Sequence, residues 1–193
     1  MQVQIFVEGD SDKKFIEDYL TFIGSKAISA DIIVNGIGGI TKLEISKPIF
    51  RTNHIEGIQN VLILDSDNLF SERKIEIEEF IQTLGFEMPF FLFPNHQHNG
   101  DLETLLENII PADNQELFDC WDGYIQCLES KNKDYSTPNR KSKIYAYLEA
   151  LLGKSRRQKK MIEENSRNYL ELSHWNLNST YLEPLKRFLT SIK

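Results

Sequence analysis

Apolar runs and amphipathic stretches alternate along the first half of this chain. Residues 2–7, 28–34, 60–64 and 88–93 are short, nearly unbroken apolar runs, and each reads as a strand buried on both faces. Between them the period becomes helical. From Asp12 to about Gly24, the residues Phe15, Ile16, Tyr19, Leu20 and Ile23 share one face. Ile40 to about Arg51 is a second helix, expected to break or bend near Pro48. A third runs from a Ser71 cap to Leu84, where Gly85 stops it, with Ile77, Phe80 and Ile81 inward and Ile75 on the mixed outer surface. Strands separated by helices of this length imply crossover connections and a mainly parallel sheet.

The second half is helical throughout. Asp101–Ile110, Gln115–Leu128, Lys141–Leu152, Arg157–Leu170 and Leu182–Ile192 all carry the helical period, and Ser130–Asn139 is a polar loop. The predicted fold class is therefore α/β: a four-stranded, mainly parallel sheet between helices, with a helical C-terminal extension. Residues 1–110 form the core and 111–193 the extension, packed on it as one compact unit.

Two of the strands end in carboxylates. The first runs into Glu8-Gly9-Asp10-Ser11-Asp12, the third into Asp65-Ser66-Asp67-Asn68. Open α/β sheets place their chemistry outside the carboxyl ends of the strands. Carboxylates crowded there repel each other unless a divalent cation lies among them, which points to a magnesium-type site. Each group also has a local reading. Asp10, Ser11 and Asp12 suit a helix N-terminus, and Asp65-x-Asp67 suits an Asx-type turn. Gly38-Gly39 either lets backbone amides approach a phosphate or simply makes a tight strand-to-helix turn. His96 and His98 either reach a metal or phosphate or lie in a solvated loop. Trp121, Tyr124, Tyr145 and Tyr147 either stack bases or pack; packing is favoured.

Composition narrows the class without choosing a function. The 193 residues are 40% hydrophobic and 26% charged, as expected of a soluble domain with one good core. No run approaches the ~20 apolar residues of a membrane span, and the first strand starts with no leader ahead of it. Cys120 and Cys127 lack zinc-ligand spacing and read as small buried apolar residues, fitting a reducing, bacterial-style cytoplasm. The net charge of −7 is unevenly spread. Residues 131–160 hold ten Lys or Arg against Asp134 and Glu149, so this segment carries +8 and the rest −15. Lys154, Arg156, Arg157, Lys159 and Lys160 end that stretch, either as a solvated face or as a phosphate-binding one beside an acidic site.

In order, these motifs resemble a known family. Strand-Glu8-Gly9-x-x-Asp12, a Gly-rich turn after the second strand and strand-Asp65-x-Asp67 look like a Toprim domain, the metal-binding module of topoisomerases, primases and nucleases of the overcoming-lysogenisation-defect type. Asn99-Gly100-Asp101-Leu102-Glu103, Lys143-Ile144-Tyr145-Ala146 and Leu182-Glu183-Pro184-Leu185 add a resemblance to small stand-alone bacterial Toprim-like proteins catalogued as a domain of unknown function. The resemblance implies that Asp65 and Asp67 bind Mg2+ or Mn2+. It implies that Glu8 acts at the metal or as a general acid or base, that Asp12 is a further ligand, and that Glu103 completes the site. Glu8, Asp65 and Asp67 would then be the catalytic set. The assisting lysine of some nuclease members has no single counterpart; Lys141, Lys143 and Lys154 are candidates.

Other acidic strand-end families fit less well. Metal-dependent glycosyltransferases have no need of Glu8-Gly9, haloacid-dehalogenase phosphatases carry Asp-x-Asp after the first strand, and receivers show a phosphoacceptor-then-lysine pattern missing here. The expected activity is metal-dependent phosphodiester chemistry on nucleic acid, in defence or repair. The alternative is a Toprim-like module that binds nucleic acid or a protein without cutting. A homodimer or a partner protein is compatible with both, and no membrane is involved.

Overall fold

The computed structural model describes residues 2–24, 32–37, 42–131 and 133–192. Four parallel strands, β1 (Val3–Val7), β2 (Ile32–Gly36), β3 (Gln59–Asp65) and β4 (Phe90–Phe93), form one sheet in the order β2-β1-β3-β4. Val7 aligns with Gly36 on one side and Ile63 on the other, so β1 and β3 lie side by side at the centre. The chain runs outward from β1 in one direction first, then crosses back to β3 and continues the other way. The strand order thus reverses between β1 and β3, and Glu8 and Asp65 leave the sheet at that reversal.

Alternation along the strands divides the core in two. Val3, Ile5 and Val7, with Val61, Ile63, Phe91 and Phe93, face α1 (Asp10–Phe22) and the later helices. Phe6, Leu62, Leu64 and Leu92 face α2 (Leu43–Ile55) and α3 (Phe70–Leu84) on the other side. Both faces are covered, which is why the strands read as unbroken apolar runs. The first face also receives α4 (Leu102–Glu107), α5 (Gln115–Glu129), α6 (Arg140–Leu152) and α8 (Glu183–Ser191), and Trp175, Leu185 and Leu189 join its core. A short α7 (Arg156–Lys160) and single 3₁₀ turns complete the path. Among the described residues no helix is long and apolar enough to cross a membrane.

The α/β class and all four strands agree with the sequence pattern; several boundaries and one burial expectation do not. The second strand continues past Val34 to pair Asn35 and Gly36 with Phe6 and Val7, while its expected start at 28–31, and Gly38-Gly39, lie outside the described residues. Helix α2 passes through Pro48 unbroken to Ile55. Ser71 does not cap α3: the helix begins at Phe70, whose N–H is taken by the Asn99 side chain at 2.8 Å. Gly85 does stop it, at φ 82°. Strand β4 starts only at Phe90 because Pro89 has no N–H to give the ladder.

The helix expected over 157–170 stops at Lys160. Its N-terminus is capped by Ser155, but beyond Ile162 the chain leaves the helical bonding pattern for other partners. The Tyr169 N–H reaches Asp18 at 2.9 Å, and the Arg167 side chain folds back on the Ile162 carbonyl. Cys120 and Cys127 are exposed rather than buried. Helix α5 buries Phe118 fully and Leu117, Trp121, Ile125 and Leu128 in part, leaving both cysteines on its outer face.

Trp175 is fully buried against Tyr147 and Tyr169, with ring centroids 5.6 Å away in each case. Trp175→Ala should cost about 3–5 kcal/mol in urea unfolding. Tyr124→Ala on exposed α5 should stay within about 0.5 kcal/mol.

Candidate functional site

Glu8 is the first residue past β1, and it turns toward the neighbouring strand: its Oε1 accepts the Asp65 backbone N–H at 3.2 Å. Asp65 in turn accepts the Leu102 N–H at 3.1 Å, which fixes the start of α4 against the end of β3. Asp12 lies in the first turn of α1, where its Oδ2 takes the Gly9 N–H at 2.8 Å, the role expected of an acid at a helix N-terminus. Glu103 occupies the first turn of α4, behind the N-cap Asp101.

The loop carrying the second cluster is laced to the one that leads into α4. Ser66 donates to the carbonyls of His98 and Gly100 at 3.0 and 3.1 Å, and Asn99 binds both the Asn68 carbonyl and the Phe70 N–H. Asp67 pairs with Gly100 in an antiparallel bridge. Gly100 sits at φ 144°, and a Cβ there would fall 2.6 Å from the Thr104 hydroxyl, so the Asn99-Gly100-Asp101 turn requires glycine.

Four of the five expected ligands act on one another electrically. Burial pushes the Asp65 carboxyl well above the usual range, and Asp12, Glu8, Asp101 and Glu103 push it further. Asp12 is only 7% exposed and is raised by burial first, then by Glu103, Glu8 and Glu164, against the lowering bond from Gly9. Burial also raises Glu8 and Glu103. The fifth, Asp67, stands apart. Its backbone is left-handed at φ 51°, its side chain is exposed, and its Oδ2 is paired with Arg73 at 2.7 Å; it reaches the cluster through its repulsion of Glu8.

The cations that bear on these acids are Lys141 and Arg167 at Glu103, and Arg73 at Glu8. Of the three lysines considered, Lys141 is the one placed here, bonded to Glu164. Lys143 instead pairs with Glu107 and Asp122 on the α4–α5 side, and Lys154 is exposed. Arg156, Arg157, Lys159 and Lys160 are exposed on α7, with Lys159 3.7 Å from Glu149. Among the described residues Glu8, Asp12, Asp65 and Glu103 form no ion pair, and no three His, Cys, Asp or Glu side chains converge as they stand on one ion position.

Buried and half-buried oxygen donors of one sign are the chemistry a hard divalent ion uses, and such an ion takes one or two carboxylates directly and keeps several waters. The histidines do not contribute. His96 accepts the Leu92 N–H at 3.0 Å and stacks on Phe91, and burial lowers its proton affinity. His98 is held by the Asn95 side chain. Tyr147 is buried and donates to the His174 carbonyl, whereas Tyr145 bonds Glu164 beside the cluster.

Sequence reading missed Asp101, Glu164, Arg73 and Arg167. Asp101 lies inside a quoted motif and was legible as an N-cap. Arg167 carries no local signal, because its place depends on contacts across the fold.

Profile comparison decides the family. The chain belongs to the family described as Protein of unknown function (DUF3226), matched over residues 2–192. No curated protein matches the sequence. Two solved structures of the C-terminal region of the Xanthomonas campestris pv. campestris OLD protein are similar to this DUF3226 chain at 13% and 15% identity, each with a TM-score of 0.50. They cover 98% of this chain and 94% and 92% of theirs. The C-terminal region of the Burkholderia pseudomallei OLD protein is similar at 14% identity, 100% and 98% coverage and a TM-score of 0.48. At these identities the likeness is one of fold.

Raised carboxyls bind more protons folded than unfolded, so their burden on stability is absent below the ordinary carboxylate value and grows as pH rises through neutrality. Asp65→Asn should therefore stabilise the metal-free protein at about pH 8 and change little near pH 4. Urea midpoints in chelator at the two pH values check this.

Proposed function

We propose that this DUF3226 protein is a Toprim-like enzyme that cleaves phosphodiester bonds of nucleic acid with Mg2+ or Mn2+ held at the sheet reversal. The observation that carries the reading is the group of mutually repelling carboxylates Glu8, Asp12, Asp65 and Glu103, Asp12 buried and the others half-buried, none in an ion pair among the described residues. The ordered resemblance to Toprim modules and to nucleases of the overcoming-lysogenisation-defect type supports it, as does the fold shared with the OLD C-terminal region.

Glu8, Asp12, Asp65, Asp67 and Glu103 would hold the ion between them, one or two directly and the others through its waters. When bound, such an ion polarises a phosphoryl oxygen and makes hydroxide available at neutral pH. The chain's own groups do the rest. The Asp65 N–H pins one oxygen of Glu8, which leaves the other to accept or carry a proton, and burial favours the protonated form. Leu102 N–H and Gly9 N–H orient Asp65 and Asp12. Lys141, anchored by Glu164 beside Glu103, supplies positive charge for a phosphate oxygen. Arg156, Arg157, Lys159 and Lys160, with Lys154 just before them, present a basic surface for the nucleic-acid backbone.

Plasmid, linear duplex and single-stranded substrates in Mg2+ and in Mn2+ test this directly. Cutting is expected in at least one combination and should fall to background in Asp65→Ala/Asp67→Ala; persistence in that variant removes the assigned site. Binding without cutting would instead favour the non-catalytic module. Neutralising Arg156, Arg157, Lys159 and Lys160 together should lower the slope of log affinity against log salt by roughly three, on single strands or duplex, since each lost phosphate contact removes about 0.7–0.9.

A further inference from the structure

The two sides of the acidic site meet their cations in different ways. On the Glu103 side, Arg167 is 2% exposed, bonds the Tyr169 hydroxyl and the Ile162 carbonyl at 3.2 Å each, and lies under the Tyr145 ring. It is locked in place and forms no ion pair among the described residues. On the other side, Arg73 reaches out of α3 and sits directly on a carboxylate. Its Nη2 is 2.7 Å from Asp67 Oδ2 and its Nη1 3.0 Å from Glu76 Oε2, and the Asp67 side chain is 57% exposed.

We propose that Arg73 sets how tightly the Asp67 side takes a divalent ion, because its guanidinium is a resident cation that the ion must displace. The proposal rests on the metal-dependent reading above. Asp67 cannot follow Arg73 away: its backbone is tied to Gly100 by the antiparallel bridge, and the loop around it is held by Ser66 and Asn99. What moves is the arginine side chain. Glu76, one turn further along the same helix, keeps hold of Nη1 when Asp67 is taken, so release breaks one charged contact and not two. A groove of about 250 Å3 opens beside the pair, between Ser66, Asn68, Leu69 and Glu72, with room for an ion that retains its waters. A half-exposed ion pair contributes about 1 kcal/mol or less, so the competition is weak enough to be overcome and large enough to measure.

Mn2+ titration followed by electron paramagnetic resonance, on the full chain with folding checked by thermal melting, tests the proposal without reference to cleavage. Arg73→Gln is expected to bind Mn2+ about three- to fivefold more tightly than wild type. Asp67→Asn is expected to bind more weakly, and adding Arg73→Gln to Asp67→Asn should bring no further gain. Arg73→Lys, which keeps the charge, should stay closer to wild type than Arg73→Gln. Unchanged or weaker binding in Arg73→Gln overturns the proposal while leaving the metal reading in place. So does an equal gain with and without Asp67, which would mark a diffuse field effect. If none of the proteins binds Mn2+, the metal reading falls and this proposal falls with it.

Discussion

The clamp between the end of β3 and the loop before α4 is the constraint on which the rest of the site depends. Asp65 accepts from Leu102, Ser66 donates to His98 and Gly100, and Asp67 bridges to Gly100. These bonds join two segments more than thirty residues apart in the chain. They fix the backbones of Asp65 and Asp67 and commit one oxygen of Asp65. Glu8 is drawn in from β1 by the same device, through the Asp65 N–H. Without these backbone donors, four carboxylates, one buried and three half-buried, would have no reason to stay together, since burial and mutual repulsion both act against their charge.

The opposite wall is made by the end of the chain. Asp18 accepts the Tyr169 N–H, Ser11 meets the Tyr169 hydroxyl at 3.0 Å, and Arg167 lies against that same tyrosine. The acidic edge thus stands between Arg73, partly exposed and ion-paired, and Arg167, fully buried and without an ion pair among the described residues. Charge is balanced unequally across a few residues, and this asymmetry distinguishes Asp67 from the other four acids more clearly than its place in the Asp-x-Asp motif does.

Much of this was legible in the sequence. Unbroken apolar runs ending in Glu8 and Asp65 gave the central strands, and helical spacing of Phe15, Ile16, Tyr19 and Leu20 gave the face of α1. Glu8 and Asp65 stand at strand ends and Asp12 and Glu103 in first helical turns, places that local pattern marks, while their expected roles came from the family resemblance. What escaped depends on long-range contact. Ser71 has the right chemistry for a cap, yet Asn99 from another loop satisfies the helix end first. The apolar period of 157–170 suggested one helix, but Tyr169 bonds to Asp18, far back in the chain, and the helix yields. The exposed cysteines follow from how little of α5 is covered, a property of its neighbours and not of its own sequence.

The late position of Arg167 and Tyr169 has a bearing on how the protein comes into being in a cell. Synthesis delivers β1, β3 and the start of α4 well before the segment that walls them in. Until that segment packs, the carboxylates of Glu8, Asp12, Asp65 and Glu103 have more access to water and less cause to hold their protons. Burial is the first cause of the raised Asp12 and Asp65 carboxyls, so whatever packs around them shapes the electrical character of the edge. Packing of this later segment, and not formation of the sheet alone, then sets the charge state of that edge.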